Sequence, residues 1–246
     1  WAMRCLLVET DDRKILIDTG IGTKQNNKFR SHFEPTGLEG LSSNLKKLGV
    51  ELDDITDVFL THLHFDHCGA AVAQNTEGVL FPTFKNARYW SNQKHWAWAK
   101  KPNPREAASF LTENFLPLEL HDVLQFIDYQ EDISQSTPFL LNFDVHFSYG
   151  HTEAMMLPRL KIGDKTLVFC ADTMPSQWHI GMPYVMAYDI RPLDSLREKE
   201  WLLNTAVTEG WYLFFEHDPV AECGTVKRDE RGRIVLDKIV KLSEVF

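Results

Sequence analysis

The sequence predicts an α/β fold organised as one domain, and three features carry that reading. Short apolar runs alternate with segments of helical periodicity, repeats and low-complexity tracts are missing, and 246 residues at 43% hydrophobic content suffice for one large core.

The elements follow in order. Residues 4–9 and 14–18, RCLLVE and KILID, are apolar runs joined by the polar TDDR and read as a β-hairpin. Gly20 and Gly22 break the second run, and a loop containing Pro35, Gly37 and Gly40 follows. In LSSNLKKLGV, Leu41, Leu45 and Leu48 recur at helical spacing and Gly49 supplies the stop. TDVFL is the next strand. Residues 87–127 read as a mainly helical insertion or cap, rich in Trp90, Trp96, Trp98, Phe110 and Phe115, with Pro102 and Pro104 between two helical pieces. Strands are expected in FLLNFDVHFSY and KTLVFCAD, then a helix from about Leu196 to Thr208 with Ser195 and Glu198 as its capping box and Gly210 as its close. WYLFFEH is a strand that ends on His217, and residues 221–246 read as a hairpin and a short tail.

Charge and composition narrow the function. A net charge of -9 and a pI near 5.6 give no general basic field, which argues against nucleic acid or an anionic membrane as partner. A small-molecule substrate fits better, and the oligomeric state is left open. Cys5, Cys68, Cys170 and Cys223 form no C-x-x-C pair, so reduced, mostly buried thiols are expected. No apolar run approaches the ~20 residues of a membrane span and no signal peptide opens the chain, so a cytoplasmic location is expected. The chain begins at Trp1 without a starting Met, and a missing N-terminal piece is expected.

One stretch resists a purely structural reading. After the apolar Val58, Phe59 and Leu60, the sequence THLHFDHCGA places His62, His64, Asp66 and His67 within six positions. In extended backbone residues two apart point the same way, so His62 and His64 can share one metal as the strand finishes, while Asp66 and His67 turn toward a second. Imidazole and carboxylate suit zinc first, then iron or manganese. Further ligands must come from other strand ends, and His151 in YGHTE, Asp172 in FCADT and His217 in FFEHDP stand at such places.

THLHFDHCGA resembles the His-x-His-x-Asp-His signature of the metallo-β-lactamase superfamily, and the later ligands come in that family's order, so that roughly residues 4–220 are covered. The HFDHCG wording and the helical insertion most resemble the acyl-homoserine-lactone lactonase and organophosphate-hydrolase branch. The resemblance implies a four-layer αββα sandwich and a dinuclear centre. His62, His64 and His151 would hold one ion, Asp66, His67 and His217 the other, and Asp172 would bridge them. Asp18 in IDTG would orient ligands by hydrogen bonds from behind.

Two departures bear on the substrate. TEAMM follows His151 where the family commonly has a Pro-Gly-His continuation. The short-range tyrosine that follows the bridging aspartate in well-known lactonases is absent from DTMPSQWHI, where His179 could supply a polar contact instead. Trp90, Trp96, Trp98 and Phe110 are weighed both as core and as walls of a substrate pocket. Cys68 and Cys170 read as core, and His32, His95, His121 and His146 as surface or hydrogen-bonded residues.

The expected function is a hydrolase in which a metal-bridging hydroxide attacks a lactone or ester carbonyl, substrates with an apolar acyl chain included, with Asp66 relaying a proton and Asp172 setting the metal pair. Thioester hydrolysis of the glyoxalase type, phosphoester hydrolysis, and a metal-binding module without catalysis are the alternatives. Nuclease, β-lactam and flavo-diiron chemistry fit the sequence less well.

Overall fold

The structure is a computed structural model that describes residues 1–37 and 40–246. The chain forms two compact units: an N-terminal unit of Cys5–Phe126, and a C-terminal unit of Ile127–Phe246 that also takes in Trp1–Arg4.

The N-terminal unit is built on a five-stranded sheet. Its hairpin is β1 (Leu6–Glu9) and β2 (Lys14–Ile17), with Leu6 opposite Ile17 and Glu9 opposite Lys14, as the apolar runs predict. Helices α1 (Asn27–Phe33) and α2 (Gly40–Lys47) precede β3 (Asp57–Phe59), which is buried along its whole length, as a central parallel strand must be. The short helix α3 (Phe65–Cys68) and the small hairpin β4 (Val72–Gln74) and β5 (Leu80–Pro82) follow.

Residues 87–127 differ from a mainly helical insertion. The segment opens with β6 (Arg88–Ser91), passes through α4 (Gln93–Lys100) and α5 (Leu116–Leu120), and closes with β7 (Leu124–Phe126). Both strands join the sheet in parallel, giving the order β1-β2-β3-β6-β7. The aromatic content that suggests a cap instead fills the core: Trp96, Phe110 and Phe115 are buried with Leu16, Val58 and Tyr89.

The C-terminal unit is built on a seven-stranded sheet. β8 (Thr137–Leu140) and β9 (Phe143–Ser148) lead into β10 (Met155–Ile162) and β11 (Lys165–Phe169). β10 has no counterpart in the sequence reading. Its MMLPRLKI carries a proline and shows burial along the first four residues rather than alternation.

Helix α6 (Pro192–Glu209) then crosses over to β12 (Tyr212–Phe214), which pairs in parallel with β11. The hairpin β13 (Cys223–Arg228) and β14 (Ile234–Val240) and the short α7 (Leu242–Val245) complete the order β14-β13-β12-β11-β10-β9-β8. Helix α6 begins four residues before the expected start, with Pro192 at its first turn, where a missing N–H costs nothing. The Ser195–Glu198 capping box does not form. Ser195 lies inside the helix with its hydroxyl toward the carbonyl of Arg191, and Glu198 turns to a different task.

Candidate functional site

In the N-terminal unit the donors predicted from the motif sit beyond β3, not on it. The strand ends at Phe59, His62 and His64 lie on the loop that follows, and His64 is the extended residue that caps α3, which carries Asp66 and His67. Thus the pair that the sequence reading puts on a strand end stands on a short loop instead. His62 and His67 lie with ring centroids 3.9 Å apart and planes tilted by 45°, and His62 and His64 meet edge to face at 4.6 Å.

Asp18 governs this loop. Its Oδ1 accepts from the backbone N–H of Thr61 at 2.8 Å. Its Oδ2 accepts from the Thr61 hydroxyl at 2.6 Å and faces His67 Nδ1 at 3.0 Å. A carboxylate at Nδ1 requires the proton there, which places the lone pair of His67 on Nε2, 3.9 Å from Asp66 Oδ1. Since the Thr61 hydroxyl proton points to Asp18, its oxygen accepts from His62 Nδ1 at 3.2 Å, and His62 is held as the same tautomer. Asp18 does this from a left-handed backbone, φ 57°, a conformation that a non-glycine residue adopts only when its surroundings enforce it.

Other residues fix the same loop. The N–H of Leu63 donates to His95 Nε2 at 2.9 Å, so His95 positions the residue between His62 and His64. Gly69 has no room for a side chain: an added Cβ would lie 2.0 Å from the carbonyl oxygen of Ile21. Burial pushes the Cys68 thiol up to about 12, and its Sγ donates to the carbonyl of Leu63 at 3.3 Å.

The structure also draws in Glu106, which the sequence reading passes over. This buried carboxylate stands 3.6 Å from His64 Nε2, while its other oxygen accepts from Trp98 Nε1 at 2.9 Å and Asn103 Nδ2 at 2.6 Å. The Asn103-x-x-Glu106 spacing was its sole signal. Trp90 donates to the buried Asp57 at 2.8 Å, and Phe110 packs edge-on against His64 at 4.7 Å.

In the C-terminal unit His151, Asp172 and His217 come together from three loops. His151 lies between β9 and β10, Asp172 in the turn after β11, and His217 three residues past β12. Asp172 Oδ2 faces His151 Nε2 at 3.1 Å, and its Oδ1 faces His217 Nε2 at 3.0 Å. Nδ1 of His151 is turned to Asp189 Oδ1 at 3.0 Å and Nδ1 of His217 to the carbonyl of Ala2 at 2.7 Å. Those acceptors require protons on both Nδ1 atoms, so in neutral imidazoles two lone pairs face one carboxylate. Such a set suits cations between them, and the chemistry of the donors fits divalent metal ions. Ala171, next to Asp172, has φ 43° and so, like Asp18, is a non-glycine residue in left-handed backbone.

Glu198 organises the approach to His151. From α6 it accepts from the Ser148 hydroxyl at 2.6 Å and from the N–H groups of Tyr149 and Gly150 at 2.6 and 3.0 Å. The helix lies so close that a Cβ on Gly150 would stand 2.2 Å from Ser195 Oγ. The next residue, Lys199, is also buried and donates to the carbonyls of His179, Gly181 and Tyr184 at 3.1, 2.9 and 2.6 Å. Burial lowers its pKa to about 8. His179, whose pKa burial also lowers, holds Ser176 Oγ at 2.8 Å through Nδ1.

A cleft of about 290 Å³ opens in this unit, with His179 and His217 in its walls together with Pro175, Trp178, Met186 and Tyr188. Of the aromatic pocket candidates named from sequence, none lines it.

Known proteins give the frame. The sequence model of the Metallo-beta-lactamase superfamily matches residues 4–74, which hold the histidine motif. A protein of Mycobacterium tuberculosis described as a "probable metallo-hydrolase" is 36% identical over 91 residues, covering 34% of this chain and 29% of its own length. The N-acyl homoserine lactonase AiiA of Bacillus thuringiensis subsp. kurstaki is 36% identical over 76 residues, covering 26% and 30%. The matched stretch therefore spans less than a third of these relatives.

Likeness of structure reaches further. A metal-dependent hydrolase structure from Staphylococcus aureus, itself described as "probable", superposes with a TM-score of 0.82 at 22% identity, over 96% of this chain and 82% of that one. The dizinc quorum-quenching lactonase AidC superposes at 0.77 with 20% identity, over 98% and 80%. At these identities the likeness shows the fold: the α/β metallo-β-lactamase fold. Among the described residues no helix is long and apolar enough to cross a membrane.

Proposed function

We propose that this chain belongs to the metallo-β-lactamase superfamily and is a dinuclear metal-dependent hydrolase of lactones or carboxylic esters. His62, His64 and His151 would hold one ion, Asp66, His67 and His217 the other, and Asp172 would serve both, with zinc as the metal. The carrying observation is the Asp172 carboxylate, which offers one oxygen toward each of two histidines whose Nδ1 atoms are already committed. The motif at residues 61–70 supports the remainder of the set.

When bound, two such ions polarise a carbonyl and lower the pKa of a water toward ~7, which supplies hydroxide at neutral pH. The chain's part is to hold the donors ready. Asp18 fixes the tautomers of His62 and His67, Asp189 and the Ala2 carbonyl those of His151 and His217, and Glu198 the turn before His151. Asp66 would pass a proton to the leaving alkoxide. His179 would give the substrate a polar contact in place of the absent tyrosine.

A screen of the metal-loaded chain against acyl lactones, aryl esters, thioesters and phosphotriesters tests this reading. Turnover of lactones or esters that a chelator abolishes and zinc restores is the expected result. A chain that holds its metals and turns over none of the four classes would be a metal-binding module, and preference for thioesters or phosphotriesters would reassign the substrate.

A further inference from the structure

Lys199 is fully buried, at 0% exposure, and a lysine is almost never so unless its charge is answered. Backbone answers it here. Nζ donates to the carbonyls of His179, Gly181 and Tyr184 at 3.1, 2.9 and 2.6 Å, so each N–H of the ammonium group has one acceptor. Asp189 adds a favourable field, whereas Glu198, the preceding residue on α6, turns to Ser148, Tyr149 and Gly150.

The segment that supplies these carbonyls buries little of itself. Among the described residues from Trp178 to Tyr184, Ile180 alone is buried, and Trp178 and Tyr184 are 72% and 64% exposed. The hydrogen bonds between Ser176 Oγ and His179 Nδ1 and from the Tyr184 N–H to the Gly181 carbonyl are local, so the ammonium group links the segment to α6. Its course matters, because Trp178, His179, Met186 and Tyr188 form walls of the cleft that His217 also lines.

We propose that Lys199 is a positioning residue that works by its charge: its ammonium group fills a cage of three backbone carbonyls and so holds His179 and the cleft wall in place for turnover. The part in turnover rests on the hydrolase reading, while the cage is a property of the C-terminal unit alone. An uncharged side chain of the same length cannot replace it, since carbonyl oxygens converging on one point repel one another unless a cation lies between them. A free cation can. Backbone carbonyls replace the hydration shell of potassium in the same manner, so a cage emptied by Lys199→Ala should take up potassium or ammonium ions.

Three forms of the whole chain test this: the parent, Lys199→Met, which keeps the length and removes the charge, and Lys199→Ala, which empties the cage. Replacing a buried charge by an apolar side chain of similar volume is often neutral for stability, so the Met form should fold. Hydrogen exchange of the metal-free chain should quicken about tenfold or more in residues 178–184 of both variants and stay as in the parent in β10. In the zinc-loaded chain kcat/KM for the best ester or lactone of the substrate screen should fall by about the same factor. Potassium or ammonium chloride should restore both readings in Lys199→Ala, tetramethylammonium chloride at equal ionic strength should not, and Lys199→Met should respond to neither.

Lys199→Met with the parent's exchange and kcat/KM, or Lys199→Ala that potassium helps no more than tetramethylammonium does, overturns the role of the charge. Quickened exchange with kcat/KM unchanged overturns the link to turnover and leaves the hydrolase reading standing. Exchange that follows the cation, in a chain that turns over nothing when loaded with zinc, upholds the cage and overturns the hydrolase reading.

Discussion

Nδ1 of His67 lies 3.0 Å from Oδ2 of Asp18, and both side chains are fully buried. Because the same carboxylate also fixes Thr61 and through it His62, loss of Asp18 should free two tautomers at once. Asp18→Asn is expected to weaken zinc binding by about 10–100-fold. Competition with a chromophoric chelator measures this, and an unchanged affinity would remove Asp18 from the site.

Glu198 should act through the turn before His151. Glu198→Ala leaves the buried Ser148 hydroxyl and Gly150 N–H, and the half-buried Tyr149 N–H, without their acceptor, each of the buried groups costing about 1–3 kcal/mol. Urea unfolding of the metal-free protein should show a loss of several kcal/mol by that scale, and zinc affinity should fall as well. Affinity unchanged in a destabilised variant would make the role purely structural.

Trp96 and Phe110 are core residues here, so their removal should register as stability. Trp96→Ala or Phe110→Ala is expected to cost about 3–5 kcal/mol. The ratio of kcat/KM for p-nitrophenyl decanoate to that for p-nitrophenyl acetate, measured on the zinc-loaded chain, should remain as in the parent chain. A changed ratio with unchanged stability would return these rings to a substrate pocket.

The thiols give a pH test. Cys68, Cys170 and Cys223 are fully buried and Cys5 partly so, so iodoacetamide should label only Cys5 in the native protein. Burial raises the Cys223 thiol to about 12 from an ordinary value of 9.0. The folded state then keeps this proton longer than the unfolded one. Its contribution to stability is whole below pH 9 and is lost as pH rises from 9 toward 12. Cys223→Ala should flatten the alkaline fall of the unfolding free energy in that window, and an identical slope would contradict the assignment.

How much of this could be read in the sequence depended on whether the signal was local. The β1–β2 hairpin, α2 and the closing hairpin come from contiguous patterns of apolar and turn residues, and they stand where predicted. The motif from His62 to His67 was legible because ligand spacing is short-range, although the strand ends at Phe59 and the histidines follow on a loop. The aromatic segment misled because Trp and Phe look alike in a core and in a pocket. Only the pairing of β6 and β7 with the sheet shows which they are. Glu106, Glu198 and Lys199 were invisible as functional residues, since each acts on partners distant in sequence or on backbone groups that no side-chain pattern reveals.

The central claim is that activity needs two ions, and titration of the metal-free chain with zinc tests it most directly. Ester or lactone hydrolysis should reach its plateau with a break at two equivalents, and Asp172→Ala should not regain it at any zinc concentration that leaves the fold intact. Full activity at one equivalent, or an Asp172→Ala chain as active as the parent, would contradict the dinuclear account.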